Sequence, residues 1–202
     1  MFIWSALAHL VALTSPGPDT AIVIRQVSLY GKYEGIKTSL GIGIGIYIHC
    51  LLAVNGISIL ILANEMYKFL ITFIGGIYIT YLGVNIVINK SIETFNYHHP
   101  VPKYKSSILI GLFTNLFNVK AFLFFISVFS ILIEESVGIF THIYPVYFAV
   151  VSSTWFIFIT YIFTAFKNQL SYNISRILQY IMSLMLCVIG ISILFKSIYE
   201  YF

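Results

Sequence analysis

Six apolar runs, each long enough to cross a bilayer as a helix, leave this chain few alternatives. They cover about 2-24, 38-62, 69-89, 108-133, 143-166 and 177-197, and at ~1.5 Å per residue each reaches across a hydrocarbon core of ~30 Å. Backbone in lipid must satisfy its own polar groups, and runs of this length do so as helices. Composition agrees: 59% of the 202 residues are apolar and 9% are charged, against roughly 25% charged in soluble domains. The expectation is an all-α integral membrane protein, one membrane domain over 1-202 with six transmembrane helices and no separate soluble domain. Residues 1-14 lack a basic n-region and a small-residue cleavage site, so they are expected to begin a retained span rather than a removable signal peptide.

The longest connection, 90-107, carries Pro100, Pro102, His98-His99 and three lysines, and divides the chain into a first repeat (1-89) and a second repeat (108-202). With three spans per half, the second half enters the membrane from the opposite side, which is the geometry of two inverted three-helix repeats. Cytoplasmic loops retain Lys and Arg. An outside N-terminus puts Arg25, Lys32, Lys37, Lys90, Lys103, Lys105, Lys167 and Arg176 on the cytoplasmic side, against Lys68 and Lys196 outside. The expectation is therefore N-out/C-out with a cytoplasmic linker. Tyrosines gather near the span ends, as an interfacial aromatic belt requires. The net charge of +4 is dispersed among apolar runs and forms no basic patch, which excludes nucleic acid as a partner.

The first span is interrupted at Ser15-Pro16-Gly17-Pro18. Two prolines lack amide protons and the glycine adds no restraint, so the helix should break or kink there. A new helical segment starting near Pro18 would aim its amide protons inward, with Asp19 in its first turn. Such an end can hold a substrate carboxylate. Against this stands the plain reading, a kink with a stabilising first-turn acid. In the fourth span Lys120 is about 12 residues, or ~18 Å, from the start, too deep to snorkel easily. It needs an internal partner: substrate, Asp19, or helix C-terminal carbonyls. Gly111, Asn115 and Asn118 share one helix face, whereas Lys120 lies ~200° around from Asn118 on a regular helix. Both line one cavity only if the backbone is irregular there. Interhelical hydrogen bonding is the alternative use of the asparagines.

In the second span Gly41, Gly45 and Gly56 are spaced by one and three turns and mark a stripe for close helix approach, while Gly43 thins the opposite side. Gly83 is placed in the same packing role in the third span. The glycine run resembles a dinucleotide loop only loosely and has no βαβ context. His49, near mid-span, is a candidate for proton coupling or a packed neutral histidine; His9 is a weaker candidate, and His98-His99 belongs to a solvated loop. Ser152, Ser153 and Thr154 either line a pathway or bond carbonyls one turn back. Cys50 and Cys187 fall inside apolar runs as small buried side chains.

With these residues in place, the chain resembles the lysine exporter and homoserine/threonine resistance (LysE/RhtB) family of bacterial amino acid exporters over nearly its whole length. The likeness rests on Ser15-Pro16-Gly17-Pro18-Asp19, Arg25, Gly31-Lys32, Gly35, the glycines from Gly41 to Gly45, His49, Gly75-Gly76, Tyr78, Tyr81-Leu82-Gly83, Gly111, Asn115, Asn118 and Lys120. Two departures stand out. Where the family reads Asn-Pro-Lys this chain reads Asn118-Val119-Lys120, so no proline enforces a break, and Ser130-Ile131-Leu132 stands where relatives carry Pro-Gln-Phe. The resemblance implies six transmembrane helices and export of amino acids or related metabolites across the bacterial inner membrane, driven by proton exchange.

The functional expectation is a secondary exporter of small zwitterionic solutes, not an enzyme, with Asp19, Lys120, Asn115, Asn118 and His49 as substrate-binding or coupling residues. An amino acid, protons and the lipid bilayer are its expected partners, a homo-oligomer is compatible, and neither cofactor nor metal is expected. The rivals are a cation or heavy-metal exporter, a membrane enzyme and an assembly subunit. One intramembrane acid without a Cys/His cluster under-supplies a divalent site. An enzyme needs an acid/base or nucleophile constellation, and Glu65, Glu93, Glu134, Glu135 and Glu200 lie without evident partners.

Overall fold

A computed structural model describes residues 2-15, 17-57, 60, 63-88, 106-135, 140-167 and 172-201. The Pro16 position and nearly all of the 90-107 linker, including His98, His99 and Glu93, lie outside the described residues. The described residues are almost all helical, with no strand among them. Helices are numbered here α1 (Phe2–Thr14), α2 (Pro18–Tyr30), α3 (Lys32–Val54), α4 (Glu65–Ile88), α5 (Ser107–Leu116), α6 (Val119–Glu135), α7 (Phe140–Lys167) and α8 (Tyr172–Tyr201). Four of them, α3, α4, α7 and α8, are long and apolar enough to cross a membrane singly. Two further pairs qualify when each is taken as one span: α1 with α2, bent by 52°, and α5 with α6, bent by 61°.

The first bend falls where proline and glycine predict it. Gly17 is extended, and Pro18 takes the first position of α2, where a missing amide proton costs nothing. The second bend forms without proline. Phe117 ends α5, and the Asn118 side chain does the work of starting α6: its Oδ1 accepts the backbone N–H of Lys120 at 3.1 Å, and its carbonyl accepts the Phe122 N–H at 3.0 Å. An asparagine just before the first helical residue satisfies one orphan donor of a helix N-terminus. The break thus forms by capping, with Val119 as the first residue of α6.

The stretch 25-37, read from the sequence as a loop, is helical except at one residue. Gly31, with φ 88°, turns α2 into α3 alone, a conformation that disfavours any side chain. Helices that overrun the hydrocarbon core carry their ends into polar surroundings, where Lys37 and Glu34 pair at 2.9 Å. Gly56 is a second departure. It lies beyond the end of α3 with φ 71° and open space around it, so it serves a turn rather than the packing stripe. Arg25, counted among the loop cations, is 9% exposed within α2.

The core gathers around α3, which packs against α2, α5, α6 and α7. Glycines permit this. A Cβ at Gly41 would strike the Ile108 carbonyl and one at Gly111 the Thr38 carbonyl, so α3 and α5 meet backbone to backbone. Gly45 makes room for the Asn115 side chain, and Gly43 on the far face receives Ser153 of α7. Ile42, Ile46, Phe129, Phe148 and Phe156 fill the space between. The α4 and α8 helices form a close pair, with Gly83 against Cys187 and the Ser183 carbonyl. Glu200, which lacks a partner in the sequence reading, joins the ends of that pair by an ion pair to Lys68 (2.5 Å) and also pairs with Lys196 one turn back on α8 (3.5 Å). Overpacking a backbone-to-backbone contact costs about 1–3 kcal/mol or more. Gly111→Val is therefore expected to lower the melting temperature in detergent by several degrees, measured by a thermal-stability size-exclusion assay, whereas Gly17→Ala, whose Cβ would meet only Lys120 at ordinary contact distance, is expected to leave it in place.

Candidate functional site

The two helix breaks face each other across a small cavity. Asp19, in the first turn of α2, is 8% exposed. Its Oδ2 accepts hydrogen bonds from Asn115 Nδ2 at 2.9 Å and Asn118 Nδ2 at 3.0 Å, one donor from each side of the second break. Its Oδ1 is buried without a partner. Lys120, in the first turn of α6, donates from Nζ to the Ser15 carbonyl at 2.8 Å, a C-terminal carbonyl of α1 left open by the first break. No ion pair joins Asp19 to Lys120 among the described residues. Each charge is instead held by polar groups of the opposite bent pair.

Asp19, Lys120, Asn118, Ser15, Gly17 and His9 line one cavity of about 40 Å³, walled by Phe124, Phe125 and Phe156. One water takes roughly 10–15 Å³ on this scale, so the space holds a few waters. The irregular backbone at 117-118 is what lets Asn118 and Lys120 share it, since a regular helix would turn them apart. Asn115 stands one bond behind Asp19. His49, 3% exposed, stands behind Asn115, its Nε2–H donating to the Asn115 carbonyl at 3.0 Å. The sequence-identified Asp19, Asn115, Asn118, Lys120 and His49 therefore form one connected cluster with Ser15, Gly17 and Pro18 at its edge. Gly41 and Gly45 stand on α3 beside it, whereas Gly83 and Gly56 lie elsewhere.

His9 is more central than its sequence position suggests. It is 2% exposed, lines the cavity, and shares a hydrogen bond of 2.9 Å between Nε2 and Ser152 Oγ of α7, across 143 residues of chain. Its ring meets Phe148 edge-on at 4.9 Å. The hydroxyl run 152-154 accordingly splits: Ser152 holds His9, Ser153 faces Gly43, and Thr154 bonds the Val150 carbonyl of its own helix at 2.8 Å. The signal available in the sequence was a histidine and a hydroxyl cluster at matching depth, with nothing to pair them.

A larger cavity of about 340 Å³ opens between α4, α6 and α8, rimmed by Lys68, Lys196 and Glu200. It contains none of the sequence-identified site residues. Among the described residues no group of three or more His, Cys, Asp or Glu is placed to hold a metal ion.

The family model described as LysE type translocator matches residues 10–197. The chain belongs to that family. The translocator is similar to the threonine efflux protein of Escherichia coli (strain K12), 32% identical over 143 residues that span 68% of this chain and 69% of the relative. It is similar as well to the leucine efflux protein of Enterobacter sp. (strain 638), 28% identical over 122 residues, 60% of this chain and 58% of that one. An uncharacterized membrane protein of Bacillus subtilis (strain 168), YrhP, is 25% identical over 188 residues, covering 87% of this chain and 90% of its own. No solved structure matches the chain. The protein is a membrane transporter and not an enzyme.

The bonds around Asp19 are energetically coupled. Asn118 both caps α6 and donates to Asp19, so Asn118→Ala loses a cap as well as a donor. A double-mutant cycle separates the two. Asp19→Ala is expected to cost about 0.5–3 kcal/mol less in the Asn118→Ala background than in wild type, measured by unfolding in detergent micelles, and a coupling near zero contradicts the bond.

Proposed function

We propose that this chain is a secondary active exporter of amino acids or related small zwitterionic metabolites across the bacterial inner membrane, working by alternating access and proton antiport. The observation that carries the reading is the cavity shared by Asp19 and Lys120, one from each helix break, with the second oxygen of the carboxylate unpartnered. In this reading the substrate ammonium or a coupling proton goes to Asp19. The substrate carboxylate goes to Lys120 and the amide protons at the start of α2. A proton or an ammonium group supplies what Asp19 Oδ1 lacks, a donor. His9 and His49, whose imidazoles carry protons near neutral pH elsewhere, flank the route that proton would take. The relatives named threonine and leucine efflux proteins support the substrate class and the outward direction.

Six spans in two inverted repeats, N-out/C-out, with the 90-107 linker in the cytoplasm, complete the reading. The packing supports it. Exchanging the halves maps α1–α2 onto α5–α6, α3 onto α7 and α4 onto α8. The α4–α8 and α3–α7 contacts then map onto themselves, and the contact of α3 with α6 maps onto that of α7 with α2. A cavity of about 40 Å³ is too small for an amino acid, so transport requires the two breaks to separate and opens the site to one side at a time.

The first test is a growth-inhibition panel of amino acids and dipeptides in an exporter-depleted bacterium expressing the chain. Selective rescue is expected for one chemical group, and rescue by none weighs against amino acid export. In cells preloaded with the rescued solute, Asp19→Asn is expected to abolish efflux at unchanged membrane abundance. Wild-type flux in that variant removes Asp19 from the mechanism.

A further inference from the structure

Among the buried side-chain atoms that lack a partner, two groups of opposite character lie on or beside α2, while His9 Nδ1 and Thr160 Oγ1 lack one elsewhere. Around Asp19 they are acceptors: Asp19 Oδ1, Asn115 Oδ1 and, in a neutral imidazole whose Nε2–H goes to the Asn115 carbonyl, His49 Nδ1. Nearly two turns further on they are donors, Arg25 Nε and Gln26 Nε2. Arg25 is 9% exposed. Its one described hydrogen bond runs from Nη2 to the neutral Asn85 Oδ1 of α4, at 3.3 Å. No acidic side chain pairs with it among the described residues, and its electrostatic neighbours are the phenols Tyr30, Tyr78 and Tyr81. A guanidinium taken from water without a counter-ion is costly, and intramembrane arginines otherwise face a partner or a substrate path. What this one lacks is a planar pair of acceptor oxygens, the shape its fork binds best.

A side chain of α4, Tyr78, stands between this stretch of α2 and the second helix break. The Tyr78 ring meets Phe117, the residue that ends α5, at 5.4 Å between centroids. Asp19 and Arg25 are six residues apart, ~9 Å of helix rise and ~240° around the axis, so their side chains leave α2 on different sides. The ammonium and carboxylate of an α-amino acid share one carbon and cannot span that distance, so the two groups serve successive positions of a substrate.

We propose that Arg25 is a carboxylate-recognition station, held in place by Asn85, at which the substrate's carboxylate docks on the cytoplasmic side of the breaks before its ammonium reaches Asp19. This rests on the amino acid export reading above. Arg25 then selects for a carboxylate at entry, and Asp19 selects for a cation or proton at the centre. A solute with an amine and no carboxylate meets only the second filter.

The test uses proteoliposomes of the full chain as wild type, Arg25→Gln, Arg25→Lys and Asp19→Asn. The probes are L-threonine with its decarboxylated amine, 1-amino-2-propanol, and L-leucine with isoamylamine. The reading is the ratio of the KM for the amine to the KM for its parent amino acid, which a purely structural defect would not move. Arg25→Gln is expected to raise the amino acid KM about tenfold or more while leaving the amine KM in place, so the ratio falls by the same factor. Arg25→Lys, which keeps the charge and loses the fork, is expected to fall between, and it decides the matter if Arg25→Gln does not fold. Asp19→Asn is expected to stop both probes. An unchanged ratio in Arg25→Gln and Arg25→Lys, with wild-type amino acid flux intact, overturns the station alone. Absence of wild-type flux of either amino acid overturns the export reading and the station with it.

Discussion

The arrangement depends on two interrupted helices satisfying each other's broken ends. A break inside a membrane leaves backbone carbonyls on one side and amides on the other without partners, at a cost of about 1–3 kcal/mol for each that stays unpaired. Here the Ser15 carbonyl opened by the first break takes the Lys120 ammonium, and the Asp19 carboxylate takes the two asparagine amides that flank the second. Neither break is tolerable alone. Remove α5–α6 and Asp19 is a bare buried charge; remove α1–α2 and the Lys120 ammonium loses its carbonyl partner. That reciprocity fixes the bent pairs together and explains why α3, which must lie against both α2 and α5, is so thin on its faces.

Much of this was legible in the sequence, and the reasons it was legible are local. Apolar length identifies helices because lipid leaves the backbone no other partner, and Pro16-Gly17-Pro18 announces a break because those residues act on their own backbone. Gly41, Gly43 and Gly45 were readable from helical spacing. Gly56 was not, because spacing says nothing about where a helix ends, and α3 ends just before it. The second break escaped the same logic. Its agent is a side chain, Asn118, that bonds both its own helix and a residue 99 positions away.

What the sequence withheld was long-range pairing. His9 with Ser152 and Glu200 with Lys68 join residues whose partners no local rule selects. The burial of Arg25 was hidden for a related reason: counting cations near span ends speaks to orientation but not to burial, and a helix that continues to Tyr30 draws that cation inside. Legibility therefore falls off with sequence separation rather than with importance, which is why the residues of the cluster could be singled out when their wiring could not.

The unpartnered atoms give the site a direction. A protein evolved only for stability would use the spare donors of Arg25 and Gln26 and the spare acceptors beside Asp19 to satisfy each other or would replace them with hydrocarbon. They are instead kept apart, with the donors Arg25 Nε and Gln26 Nε2 nearly two turns along α2 from Asp19 and the acceptors beside it. On the proposed reading, a zwitterion moving along α2 would meet complementary groups in sequence and satisfy both at no single point. Binding at either position would then be incomplete, so neither would become a trap, which is the condition a transporter needs and a receptor does not.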